Sequence, residues 1–172
     1  MFCISINHKN TPADVRERFA FTTKGQRQFT ERLKAEVGGC VVLSTCNRME
    51  IYFTDKYEQV EMLLANDRDV PVSLIRRYSM NYEGFQCVLH LCRVACGMDS
   101  MVLGEVEIIH QVKSAYLVAK ELGACDGELN IACQGALAAA KAVATESDTT
   151  RLPVSVGTLS AREAVNFTRN GG

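Results

Sequence analysis

No apolar run in this 172-residue chain approaches the roughly 18 residues that a membrane-spanning helix needs, and its first residues lack a secretory-signal pattern. Both absences lead to the expectation of a cytoplasmic protein that does not enter a membrane. No Cys-x-x-Cys pair occurs among the eight cysteines at 3, 40, 46, 87, 92, 96, 125 and 133, which argues against a structural zinc site. The nearest cluster, Cys87, His90, Cys92 and Cys96, would point in several directions on a helix, so no metal is expected. Without an export signal a disulfide framework is not expected either, and most of these thiols sit in apolar stretches as small hydrophobes. Net charge is nearly missing, at −1, so no global field draws in nucleic acid. There are no repeats or low-complexity tracts, and no Gly-x-Gly-x-x-Gly fingerprint follows a strand.

What is present is an ordinary globular composition, 47% hydrophobic and 23% charged, long enough for one domain or two small ones with a shared core. The charge is uneven. Lys9, Arg16, Arg18, Lys24, Arg27, Arg32 and Lys34 outnumber Asp14, Glu17 and Glu31 early in the chain, which is either a basic face or a normally solvated helix surface.

Phe2 to Ile6 reads as a strand that ends in the polar turn Asn7–Pro12. Thr23 with Gln26 forms a capping-box pattern opening a helix through Phe29, Leu33 and Val37, stopped by Gly38-Gly39. Cys40–Thr45 and Ile51–Thr54 read as antiparallel strands, residues 57–66 as a helix, and Leu74–Tyr82 as a fourth strand. The order β-α-β-β-α-β is the ferredoxin-like split arrangement, a scaffold with many uses. From Glu83 the pattern is helical. One stripe comprises Phe85, Val88, Leu89, Cys92, Ala95 and Cys96, and a second Ile108, Val112, Ala115, Ala119 and Leu122. Asp126 caps a third helix carrying Leu129, Cys133, Ala136, Ala140 and Val143. The expected class is therefore α+β. A ferredoxin-like subdomain occupies 1–82, a helical subdomain 83–146, and a linker with the start of a further element 147–172.

The segment Leu43-Ser44-Thr45-Cys46-Asn47-Arg48-Met49-Glu50-Ile51-Tyr52 interrupts two apolar strands with a polar cluster at a turn, where a cysteine can be exposed. An unperturbed thiol, of pKa about 8.5, is only a few per cent thiolate at neutral pH. A lowering of about 1.5 units, or roughly 2 kcal/mol, is within the reach of one cation such as Arg48, or of an imidazole. On these residues alone Cys46 is either a nucleophile or one of eight ordinary thiols.

The run Ser44-Thr45-Cys46-Asn47-Arg48-x-Glu50-Ile51-Tyr52 resembles the signature of glutamyl-tRNA reductases. Ile6–Pro12 followed by Arg16-Glu17 resembles that family's opening. His90-Leu91-x-Arg93-Val94-Ala95-x-Gly97–Glu105, with Ile108, Gln111-Val112-Lys113 and Ala115, resembles its central block. The resemblance runs from residue 4 to about 165. It implies that Cys46 attacks the ester of glutamyl-tRNA to leave a thioester, which NADPH reduces to glutamate-1-semialdehyde for tetrapyrrole synthesis. It further implies that Arg48 holds the substrate's side-chain carboxylate and that Thr45 and Asn47 flank the nucleophile. Ser100, Glu105, Val106, Glu107 and Gln111 would complete the amino-acid pocket, with His90 near the carbonyl or the leaving ribose oxygen. Three positions depart from the pattern: Met49 stands where threonine is usual, Glu107 where glutamine is usual, and His110 where glycine is common. An acidic Glu107 would repel a glutamate substrate unless protonated or turned away.

The same resemblance implies a homodimer in the full-length enzyme and glutamate-1-semialdehyde aminotransferase as a partner. It also implies that the chain stops short of the NADPH-binding and dimerisation domains. A fragment of this kind would form the thioester and lose it to water. Two other readings stay open: a cysteine-dependent hydrolase of other aminoacyl esters, which shares Cys46 and His90, and a non-catalytic RNA-binding module, which would use the early basic stretch.

Overall fold

The computed structural model describes residues 1–100 and 107–146, so the segment expected to be a linker, 147–172, lies outside the described residues. The strands are β1 (Phe2–Asn7), β2 (Cys40–Ser44), β3 (Arg48–Phe53) and β4 (Met80–Glu83). The helices are α1 (Ala13–Glu17), α2 (Thr23–Val37), α3 (Tyr57–Arg68), α4 (Val72–Tyr78), α5 (Gly84–Ala95), α6 (Glu107–Glu121) and α7 (Gly127–Glu146). The sheet order is β2-β3-β1-β4 with every neighbouring pair antiparallel. With α2 linking β1 to β2, and α3 and α4 linking β3 to β4, this is the expected ferredoxin-like topology within an α+β fold. None of the helices among the described residues is long and apolar enough to cross a membrane.

Successive strand residues point to opposite faces, so the register of β1 on β3 sorts the side chains into two layers. Phe2 faces Phe53, Ile4 faces Ile51 and Ile6 faces Met49 on one side; Cys3 faces Tyr52, Ser5 faces Glu50 and Asn7 faces Arg48 on the other. The first side is covered by α2 and α3. Cys40 donates from Sγ to the Thr30 carbonyl, and the Tyr57 ring packs against Phe2 and Phe53. The second side is covered by α5 and α6.

Phe29, Leu33 and Val37 bury the apolar stripe of α2, and Gly38 ends the helix at φ +82°, a conformation that glycine adopts without strain. The cap differs from the expected box. Thr22 accepts from the Gly25 N–H at 3.1 Å, and Gln26 turns away to donate to the Val42 carbonyl at 2.7 Å, tying the helix to β2. The strand expected over Leu74–Tyr82 is corrected: its first half is α4, and only Met80–Glu83 pairs in the sheet. Pro71 precedes that helix with a pre-set φ of −69°, Ile75 is fully buried, and Arg76 grips the buried Glu61 at 3.0 and 2.8 Å.

The stripe expected on α5 is also corrected. The buried residues are Cys87, His90, Leu91, Val94 and Ala95, whereas Phe85 is 74% exposed and Leu89 41%. Helical spacing alone allowed both faces, and the polar partner of His90 in the sheet chose between them. Ile108, Val112, Ala115 and Ala119 are buried on α6, and Leu129, Cys133, Ala136 and Ala140 on α7, as their spacing indicates. Asp126 caps α7, accepting from the Leu129 N–H at 2.9 Å.

Candidate active site at a hairpin tip

The β2–β3 hairpin closes on Ser44 opposite Met49, leaving Thr45, Cys46 and Asn47 at the tip. Thr45 shapes the turn: its N–H donates to the Arg48 carbonyl at 2.8 Å, and its hydroxyl accepts from the N–H groups of Asn47 and Arg48, both at 3.2 Å. Two contacts brace the tip from outside. The His8 N–H donates to the Asn47 carbonyl at 3.0 Å, and Arg16 Nε donates to the Cys46 carbonyl at 3.3 Å. The result is that Cys46 is the one exposed cysteine of the eight. Burial pushes the Cys40 and Cys133 thiols up to about 12 and also raises those of Cys3, Cys92, Cys96 and Cys125. The exposure that a reactive thiol needs is therefore found at Cys46.

Thr45, Cys46, Asn47, Arg48, Ser100 and Gln111 line one small pocket together with Ile108. Six of the ten residues singled out from the sequence are thus brought together. Gln111, half-buried on α6, lines this pocket beside Ile108. Glu107 is exposed in the first turn of α6 and does not line the pocket; its charge suits the positive end of the helix. Glu105 and Val106 lie outside the described residues. His90 lines a separate, larger cavity of ≈ 320 Å³, along with Asn7, Lys9, Tyr82 and Asp99. Arg48 is the residue common to both cavities.

Arg48 is only 2% exposed, a depth at which a guanidinium must be paired. It donates from Nη1 to Glu50 Oε1 at 3.0 Å and from Nη2 to the Asp99 carbonyl at 2.6 Å. The same Glu50 oxygen accepts from Ser5 Oγ at 2.8 Å and meets His90 Nε2 at 2.9 Å, while Oε2 accepts from the Tyr52 hydroxyl at 2.6 Å. Burial by itself would raise the Glu50 carboxyl. The His90 hydrogen bond, the charges of Arg48 and His90 and the Tyr52 hydroxyl outweigh it and hold the group at about 2. Asp99 behaves alike: against burial, the hydrogen bonds and charges of Arg93 and Lys9 hold it at about 2. Tyr82 stacks on His90 with ring centres 4.0 Å apart, fixing the plane of the imidazole. Near the tip, burial and then the charges of Arg48, Lys9 and Arg16 depress the pKa of His8, so the surroundings of the hairpin are cationic and suited to an anionic ligand.

Glu50 and Asp99, with Ser5, Asn7 and Tyr52 behind them, carry this network without having been singled out from the sequence. A signal was there: Arg48, Glu50 and Tyr52 alternate with Met49, Ile51 and Phe53, and Cys3, Ser5 and Asn7 with Ile4 and Ile6. Starting the strand at Ile51 instead of Arg48 hid it. Cys3, Glu50 and His90 also bring three metal-ligand atoms within 4.8 Å of one another. However, burial holds Cys3 strongly in its thiol form and Glu50 Oε1 is already engaged by three groups, one of them a guanidinium, so the trio fits a hydrogen-bond network better than a cation.

Fold and pocket define a class: a ferredoxin-like domain, extended by three helices, that presents an exposed thiol beside a buried guanidinium. The chain belongs to the family of glutamyl-tRNA reductase N-terminal domains, whose model (Glutamyl-tRNAGlu reductase, N-terminal domain) matches residues 4–147. It is 39% identical over 159 residues to the glutamyl-tRNA reductase of Desulforudis audaxviator, covering 89% of this chain and 36% of that protein. To the Akkermansia muciniphila glutamyl-tRNA reductase it is 37% identical over 171 residues, covering 95% and 50%. The solved glutamyl-tRNA reductase from Methanopyrus kandleri superposes with a TM-score of 0.75 at 30% identity, covering 95% of this chain and 39% of that one. The chain thus spans between about a third and a half of the length of these relatives.

Proposed function

We propose that this chain carries out the acyl-transfer half of the glutamyl-tRNA reductase reaction. The observation that supports this reading is the placement of exposed Cys46 in one pocket with buried Arg48. The Cys46 thiolate attacks the ester carbonyl of glutamyl-tRNA. A carbon–sulfur bond forms, the carbon–oxygen bond to the ribose breaks, and the proton given up by the thiol ends on the departing ribose oxygen. Arg48 selects the substrate: two of its five N–H donors are taken by Glu50 and the Asp99 carbonyl, and the others can engage the side-chain carboxylate as a planar fork. Thr45 and Asn47 set the turn that exposes the thiol, and Ser100 and Gln111 offer polar groups across the pocket. Glu107 is exposed and does not line the pocket, so it need not repel the substrate.

NADPH would supply the hydride that converts the thioester to glutamate-1-semialdehyde in the full-length enzymes. The described residues do not fit that cofactor, since their strands pair only antiparallel and no glycine-rich turn joins a strand to a helix as a phosphate cradle requires. No hydride step is therefore assigned to the described residues, and a thioester left on them without hydride is expected to be lost to water.

The test is to mix the chain with glutamyl-tRNA, follow release of deacylated tRNA and weigh the intact protein, with Cys46→Ser as the control. A glutamyl adduct on the wild type that is absent from the variant is expected. Equal deacylation by both, without adduct, would overturn the reading and favour a binding module.

A further inference from the structure

Glu50 is the least exposed charged side chain among the described residues, at 0%. A carboxylate at that depth persists only when its lone pairs are used. Its donors come from four places in the chain: Ser5 on β1, Arg48 and Tyr52 on β3, and His90 on α5. An ionised carboxylate can only accept, so the His90 nitrogen facing it, Nε2, carries a proton. His90 Nδ1 is left 3.7 Å from Asp99 Oδ2, beyond hydrogen-bond reach. On the Arg48 side, Glu50 and the Asp99 carbonyl engage the two Nη atoms from fixed directions, and that sets the plane of the guanidinium.

Resting on the acyl-transfer reading, we propose that Glu50 is a positioning residue for that half-reaction, setting the plane of Arg48 to fit a glutamyl side chain and keeping a proton on the His90 nitrogen that faces it, Nε2. Glu50 never reaches the pocket of Cys46 itself; it acts through Arg48. Two effects of removing its charge oppose each other. Loss of a counter-ion 3.0 Å from the guanidinium would strengthen attraction for any anion, whereas loss of orientation would weaken preference for the correct one. Selectivity separates them where affinity alone does not.

Glu50→Gln keeps the side-chain size, and its one oxygen can still accept from Ser5, Arg48 and His90. Glu50→Asp keeps the charge but withdraws it by one methylene. Adduct formation on Cys46 would be measured in single turnovers with glutamyl-tRNA and glutaminyl-tRNA, for the chain and both variants. In each variant, half-saturation for glutamyl-tRNA is expected to rise and the glutamyl-over-glutaminyl preference to fall by roughly 10- to 100-fold, the size of effect that a displacement of about 1 Å produces. A purely structural role would change the fraction of active protein and leave both quantities as they were. Unchanged preference, or tighter half-saturation with unchanged preference, overturns the proposal while a wild-type adduct leaves the acyl-transfer reading standing. Absence of any wild-type adduct overturns both. A readout that needs no variant is the ¹⁵N spectrum of the His90 imidazole in the ligand-free chain. A proton on Nε2 is expected, and a proton on Nδ1 alone overturns the proposal even where both variants fail to fold.

Discussion

The two faces of the sheet are made from the same strands and differ by one residue of register, yet they do different work. Phe2, Ile4, Ile6, Met49, Ile51 and Phe53 form an apolar layer under α2 and α3, whose worth lies in area removed from water. Cys3, Ser5, Asn7, Arg48, Glu50 and Tyr52 form a layer that is just as dry under α5 and α6, but its charges survive only through mutual hydrogen bonds. Burial on the first face is nearly interchangeable, since another hydrophobe of similar size would serve. On the second it is specific, because each group is the condition for its neighbour. That second face supports the hairpin tip from below, and the candidate site is its outer edge.

Breaking each face in turn tests the contrast. The largest losses of stability are expected from Phe53→Ala on the apolar side, about 3–5 kcal/mol, and from Arg48→Ala on the polar side, about 3–5 kcal/mol because Glu50 is left buried without its cation. Denaturant titration measures both. The folded fraction of Phe53→Ala should retain adduct formation on Cys46, whereas that of Arg48→Ala should lose its preference for the glutamyl group.

Acid should act on one face only. Glu50 and Asp99 titrate at about 2 in the folded chain, below the roughly 4 of unfolded carboxyls, so the stability they contribute is complete above about pH 5 and disappears as pH falls toward 2. Glu50→Gln should flatten that decline in a series of melting curves, whereas Ile51→Val should shift every curve by about 0.5–1.5 kcal/mol without changing its slope. The smallest effect on stability is expected at the tip. Cys46→Ser replaces an exposed side chain and should remain within about 0.5 kcal/mol of the wild type while abolishing the adduct.

Much of this contrast could be read from the chain before folding. Alternation and turn residues marked three strands and their antiparallel pairing, Asp126 marked a helix start, and the Ser44–Tyr52 run marked the tip where Cys46 is exposed. What escaped was set by partners distant in sequence. Residues 72–78 are apolar and β-branched enough to suggest a strand, and become a helix because Pro71 starts it and Glu61, fifteen residues before Arg76, holds it. The stripe on α5 was misplaced because helical spacing alone does not say which face is covered, and a carboxylate forty residues away makes burial the stable position of His90. Alternation assigns Glu50 to the polar layer of the strand but does not say that this layer is dry. Its burial depends on Ser5, Arg48, Tyr52 and His90 arriving together, and that convergence belongs to the fold.

In the proposed half-reaction a thiol on the edge of the polar face accepts a glutamyl group chosen by Arg48. The most direct measurement is the intact mass of the wild-type chain after brief exposure to glutamyl-tRNA or to glutaminyl-tRNA, with the modified residue located by peptide mapping. A single acyl adduct is expected, on Cys46, formed readily from the glutamyl substrate and poorly from the glutaminyl one. An adduct on another cysteine, or equal modification by the two substrates, would contradict it.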